Sequence, residues 1–144
     1  MNTFLFIAFA IAIIWVWKNV AKGSAGQAVP APVHISGRSF NSKVVGVSHD
    51  NPDGTSRQKI IKANCKAGQA LQLKPEPDNP YDHNAIGVWI PAGQIGYIAS
   101  GRLADDLSTH MKRGTAVSAS IDEVTGGKRD QPMCGVNIAI HIDQ

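Results

Sequence analysis

From residue 71 to the C-terminus the apolar positions fall mostly at every second residue. Leu71 and Leu73 alternate with Gln72 and Lys74, and Ile86, Val88 and Ile90 alternate with Gly87 and Trp89. Ile95 and Tyr97 follow a Pro91-Ala92-Gly93 turn, and two further runs come later: Val117, Ala119, Ile121 and Val124, then Val136, Ile138, Ile140 and Ile142. A period of two is that of a strand with one buried face. Upstream, Val44 to Val47 predicts a first strand, broken by Asp50-Asn51-Pro52-Asp53-Gly54. Two segments depart from the alternation. Ile60 and Ile61, with Asn64 and Cys65, give a partly apolar helix face that Thr55 or Ser56 caps and Gly68 stops. Leu103, Leu107 and Met111 fall four apart on a second helix, predicted from a Ser100 cap to Arg113. Asp105 and Asp106 stand near its start, Lys112 and Arg113 at its end, and Gly114 just beyond, the order that the helix dipole favours. The prediction is a mainly β domain with two inserted helices, closed as a small β-barrel.

The N-terminal segment follows another pattern. Met1 to Trp17 carries no charged side chain, and Phe4 to Trp17 is almost wholly Phe, Leu, Ile, Ala, Val and Trp. At about 1.5 Å per residue it reaches roughly 26 Å, slightly short of a hydrocarbon core of about 30 Å. Snorkelling by Lys18 and Lys22 closes that gap, and Trp15 and Trp17 fall at interface depth. The expectation is an N-terminal transmembrane anchor over residues 1–22. A cleaved signal peptide is the competing reading, supported by the small residues after Lys22. It fits less well, because Met1, Asn2 and Thr3 supply no basic n-region. All the nearby positive charge is C-terminal to the span, which places the rest of a single-pass chain in the cytoplasm. Residues 23–42, rich in Gly, Ala, Ser and Pro, read as a flexible linker. Residues 43–144 are then long enough for one small domain with one core.

Charge narrows the partners. The formal net charge is +3 and the pI is about 9.0. From Lys43 onward, however, 11 Lys plus Arg meet 11 Asp plus Glu, so the excess comes from Lys18, Lys22 and Arg38. A neutral domain lacks the basic surface that nonspecific duplex binding requires. Cys65 and Cys134 lack metal-ligand spacing and read as small buried hydrophobes in a reducing compartment. His49, Asp50, Asp82 and His83 show no tetrahedral ligand spacing either, so no metal or other cofactor is expected. Gly126-Gly127-Lys128 lacks the rest of a Walker loop, and no HExxH or GxSxG occurs, so the chain is not read as an enzyme.

The candidate chemistry concentrates in the run from Lys74 to Ile86, KPEPDNPYDHNAI. Three prolines fix φ, and the interspersed Asp and Asn side chains bond neighbouring amides, so this loop is expected to hold one shape. Tyr81 offers a flat face with a polar tip, while Asp82 and Asn84 offer acceptors and donors within a few residues. The same residues also suit a turn that simply joins two strands, and Tyr97 also suits the core.

The segment Asn79-Pro80-Tyr81-Asp82-x-Asn84-Ala85 resembles the signature of the HIRAN domain family. The Leu71-Gln72-Leu73 strand precedes it, and the Ile86-Gly87-Val88 and Gln94-Ile95-Gly96-Tyr97 strands follow, in the family's order. The resemblance covers about Lys43 to Gln144 and implies an OB-like barrel. HIRAN domains of the helicase-like class bind single-stranded DNA ends, which implies a nucleic-acid-binding module recognising a free 3′-hydroxyl, in a setting of DNA repair. Carried over by position, Asp82 would accept a hydrogen bond from the terminal hydroxyl and Tyr81 would stack on a base. Asn79 would shape the loop or touch the backbone, and Tyr97 would face the same pocket. Asn84 belongs to the same signature. Lys128 and Arg129, in the loop from Gly126 to Met133, would reach phosphates or remain solvated. After the first strand, DNA-binding members carry an Arg and two Tyr where this chain has Ser48, His49 and Asp50. His49 still stacks, but a cation is replaced and a carboxylate appears. The alternative is a membrane-tethered module using the same pocket for a protein partner, a peptide with a basic or N-terminal group. The family often accompanies helicase or nuclease modules, and no such module is read in this sequence.

Overall fold

A computed structural model describes residues 37–143. The expected anchor over residues 1–22, and the linker as far as Ser36, lie outside them. Among the described residues, no helix is long and apolar enough to cross a membrane. The elements in chain order are β1 (Gly37–Val45), α1 (Arg57–Asn64), β2 (Ala70–Pro75), β3 (Ile86–Ile90), β4 (Gly93–Ile98), α2 (Arg102–Lys112), β5 (Val117–Thr125) and β6 (Gly135–Asp143). The six strands close into a barrel in the order β1-β4-β3-β2-β5-β6, every pairing antiparallel.

Two strands turn the corners of this barrel. β1 pairs with β6 from Gly37↔Asp143 to Lys43↔Asn137, then with β4 through Val44↔Ile98 and Val45↔Tyr97. β2 pairs with β5 at Ala70 and Leu71, then with β3 from Gln72 to Pro75. The alternating residues point their branched side chains inward, and Ile86, Val88, Ile95, Ile121, Val136, Ile138, Ile140 and Ile142 are buried. Each such side chain contributes about 1.5–3 kcal/mol on leaving water. Ile60 and Ile61 of α1 and Leu107 of α2 join the same core, with Leu103 and Met111 packed beside it.

Several boundaries differ from the sequence expectation. The first strand begins at Gly37, within the stretch that composition assigns to a linker. Its exposed Arg38, Ser39 and Asn41 hide the alternation, and pairing with the strongly apolar β6 orders it. α2 starts at Arg102, and its cap is Gly101, not Ser100. Gly101 has φ 116°, a conformation that suits a residue without a Cβ. The three-residue step from Ile121 to Val124 is a β-bulge, which shifts the register between Ile121 and Glu123. A second irregularity lies opposite Val88 and Trp89, where β4 carries Gln94, Ile95 and Gly96. Both cysteines are free, Cys65 half-buried and Cys134 buried. Burial, and then the neighbouring Cys134, push the Cys65 thiol up to about 11, so it stays protonated and unreactive near neutrality.

Candidate functional site

The β2–β3 connection is rigid for the reason its composition suggests. The Glu76 amide donates to the Ala85 carbonyl at 2.8 Å and closes the loop at its base. Inside it, Asn79 Oδ1 accepts the Tyr81 amide at 3.0 Å and the Asp82 amide at 3.4 Å, and Asp82 Oδ1 accepts the Asn84 amide at 2.8 Å. These are Asx turns, in which a side-chain oxygen takes the place of a backbone partner. The loop so fixed carries Tyr81 at 96% exposure, the most open large apolar side chain among the described residues.

Beneath the loop, Glu76 is a hub. Its Oε2 accepts from the Tyr97 hydroxyl and from Asn79 Nδ2, both at 3.1 Å, and its Oε1 accepts from Gln94 Nε2 at 3.5 Å. Gly87 forms the floor of this arrangement, since a Cβ there would come within 2.7 Å of Glu76 Oε1 and 2.8 Å of Trp89 Nε1. Trp89, which the alternation sets on the face opposite Ile86, Val88 and Ile90, is half-buried, with Lys74 Nζ 4.2 Å from its ring.

A third group enters from α1. Arg57, its first residue, is only 5% exposed. Its Nε donates to Asn51 Oδ1 at 2.7 Å and its Nη1 to the Gly46 carbonyl at 2.9 Å, and its guanidinium carbon lies 5.1 Å from the centre of the Tyr97 ring. Asn51 is itself held, its Nδ2 donating to the Gln94 carbonyl and to Thr55 Oγ1, both at 3.1 Å. In the same turn the Thr55 hydroxyl and amide donate to Asp53 Oδ1 at 2.6 and 2.9 Å, and these bonds hold the Asp53 carboxyl below its ordinary value.

These parts line one cleft of about 1050 Å³ at the β1–β4 seam, walled by Val45, Tyr97 and Ile98, by the loop from Pro75 to Asp82, and by His49, Asp50 and Arg57. Of the sequence candidates, His49, Asn79, Tyr81, Asp82 and Tyr97 are brought together in it. Asn84 turns elsewhere: its amide donates to Asp105 Oδ1 at 2.9 Å and its Oδ1 accepts from Ser108 at 3.4 Å, which ties the loop to α2. Ser48 is exposed in the turn after β1 and is not part of the cleft wall. Lys128 and Arg129 are exposed in the β5–β6 hairpin loop and do not line the cleft either. Sequence reasoning missed Arg57 and the hub role of Glu76. One signal for Arg57 was available, because a cation in the first turn of a helix opposes the helix dipole and needs another reason to be there. Among the described residues, no three His, Cys, Asp or Glu side chains gather as a metal site.

The cleft offers a carboxylate at Asp82, an exposed ring at Tyr81 and a buried guanidinium, within a wall otherwise rich in proline. That set suits a small polar end group joined to a flat, stackable body. The sequence model of the HIRAN domain matches residues 38–141. Among solved structures, the HIRAN domain of human HLTF is similar, at 21% identity and a TM-score of 0.52, covering 72% of this chain and 74% of that one. A protein from Lactobacillus plantarum is similar at 20% identity and a TM-score of 0.55, covering 75% of this chain and 99% of that one. These likenesses concern the fold. No curated protein matches this sequence.

Proposed function

Because the chain belongs to the HIRAN domain family, a family of DNA-binding domains, we propose that its cleft binds the end of a single-stranded nucleic acid carrying a free 3′-hydroxyl. The observation that carries this reading is the ordered loop that holds Tyr81 fully exposed beside Asp82 at the cleft. Fixing a loop costs conformational entropy, and an exposed ring returns none of it until a partner stacks on it. Asp82 uses Oδ1 in its turn, and among the described residues no protein donor engages Oδ2. A carboxylate accepts from a hydroxyl and repels a phosphate, which distinguishes a free end from a phosphorylated one.

The test is binding of the full chain, in nonionic detergent, to a short fluorescent strand ending in a 3′-hydroxyl and to the same strand ending in a 3′-phosphate. The expected preference for the hydroxyl is about tenfold, the worth of one hydrogen bond to a charged group. Asp82→Asn keeps the turn acceptor and removes the charge, so it should erase most of that preference with little change in stability. Equal affinity for both ends would refute end recognition.

A second reading has its own observation. Asp50, Glu76, Asp78 and Asp82 line the cleft against the single guanidinium of Arg57, a balance that suits a basic peptide. Binding of a lysine-rich peptide together with indifference to every strand would favour that module over the nucleic-acid one.

We also propose that the domain works while anchored to a membrane on its cytoplasmic side, a reading supported by the apolar run before Lys18 and the lysines after it. Alkaline carbonate extraction of membranes should leave the full chain in the pellet, and release into the supernatant would reject the anchor.

A further inference from the structure

Burying a cation is costly unless it is compensated, and arginines withdrawn this far from water usually face a carboxylate. Arg57 does not. Among the described residues no Asp or Glu oxygen lies within 4.0 Å of its guanidinium, although four carboxylates line the same cleft. What holds it is neutral: the Asn51 amide oxygen, the Gly46 carbonyl and the face of Tyr97. Those contacts use Nε and Nη1. Nη2 has no protein acceptor among the described residues, and it is not among the buried polar atoms that lack a partner, so it keeps some exposure to solvent on a side chain that lines the cleft. The support is itself braced, since Asn51 is anchored to the β4 backbone at Gln94. The fork is therefore fixed in direction before anything binds. A preorganised guanidinium with an open nitrogen and no counter-ion is an anion receptor.

The surrounding carboxylates limit what that anion belongs to. A run of phosphates laid through a cleft lined by Asp50, Glu76, Asp78 and Asp82 would be repelled, whereas a single phosphate beside Arg57 would not. Resting on the end-binding reading above, we infer that Arg57 takes one phosphodiester, the last linkage of the strand, while Asp82 takes the hydroxyl of the terminal sugar. The cleft then reads an end at two points of opposite charge. Arg57 supplies from α1 the cation that the turn after β1, with Ser48, His49 and Asp50, does not.

One phosphate contact on a single strand gives a slope of about −0.7 in log affinity against log salt. The full chain is therefore titrated at several salt concentrations with two hydroxyl-ended strands, one normal and one with a neutral methylphosphonate at the last linkage. The neutral linkage should weaken binding about tenfold and bring the slope close to zero. Arg57→Gln should bind both strands equally and weakly. Because that change also removes contacts to Asn51 and Gly46, the neutral strand on the unaltered protein is the decisive arm. If the unaltered protein binds both strands alike yet still prefers a hydroxyl to a phosphate at the end, the role of Arg57 is refuted and end recognition stands. If it binds no strand at all, both fall.

Discussion

Gly96→Ala is expected to lower the stability of the domain by about 4 kcal/mol, combining backbone strain with a steric clash. Gly96 sits in β4 at φ 155°, in the irregular stretch opposite Val88 and Trp89. A Cβ there would collide with the Val45 carbonyl oxygen and come within 2.5 Å of Val44 Cγ1. Both neighbours belong to β1, at the point where two residue pairs alone join it to β4. The obstacle is backbone and core, so neither can swing away. Gly54→Ala provides the comparison, since Gly54 has φ 81° with open space around it. Its cost should be only about 1 kcal/mol, the conformational term alone. In thermal unfolding followed by circular dichroism, the Gly96 variant should melt roughly 15–30 °C lower. Equal losses for the two variants would show that the close approach of β1 and β4 does not limit the fold.

Glu76→Ala should cost about 3 kcal/mol, through donors left without their acceptor. The Tyr97 hydroxyl, the Asn79 amide and the Gln94 amide all converge on this carboxylate. Gln94, 3% exposed, keeps its bond to the Gly96 carbonyl at 3.2 Å, so the loss falls mainly on the Tyr97 hydroxyl and the Asn79 amide. Glu76→Gln keeps one oxygen and brings two unwanted hydrogens, so its loss should be about half as large. The loop should loosen with the hub, because Asn79 links Glu76 to the Tyr81 and Asp82 amides. Urea unfolding gives the stability, and hydrogen exchange at Tyr81 and Asp82 gives the loop. Full stability and unchanged exchange in the alanine variant would remove Glu76 from its place as organiser.

How much of this could be read from the chain depended on how locally each feature is encoded. The alternation in Ile86-Gly87-Val88-Trp89-Ile90 and in Val136 to Ile142 announces strands, because period-two burial is written in neighbouring residues. The Asx turns were legible for the same reason, as their donors and acceptors lie two or three positions apart. β1 before Val44 was not, since its apolar partner is β6, about a hundred residues away. The site followed the same rule. His49, Asn79, Tyr81, Asp82 and Tyr97, which share the cleft, were picked out by matching a family pattern in the turn after β1, the β2–β3 loop and β4. Arg57 reaches the cleft only because Asn51 and Gly46 aim it; its place at the start of α1 signals that the cation has a partner without saying which. Asn84 shows the converse. Its place in the pattern suggested a ligand group, and its contacts to Asp105 and Ser108 make it a tie to α2.

The corner strand also has a mechanical consequence. β1 carries the chain into the domain at Gly37 and ends at the cleft with Val45. At about 3.3 Å per residue the two ends are separated by roughly 26 Å of strand. Tension between a captured strand end and the chain before Gly37 would therefore run lengthwise through β1. Seven registered pairs with β6, from Gly37 to Lys43, lie along that line. Loaded lengthwise they resist together in shear, whereas a sideways pull would peel them one at a time. The strand that closes the barrel is thus also placed to bear a load between the cleft and the chain that enters at Gly37.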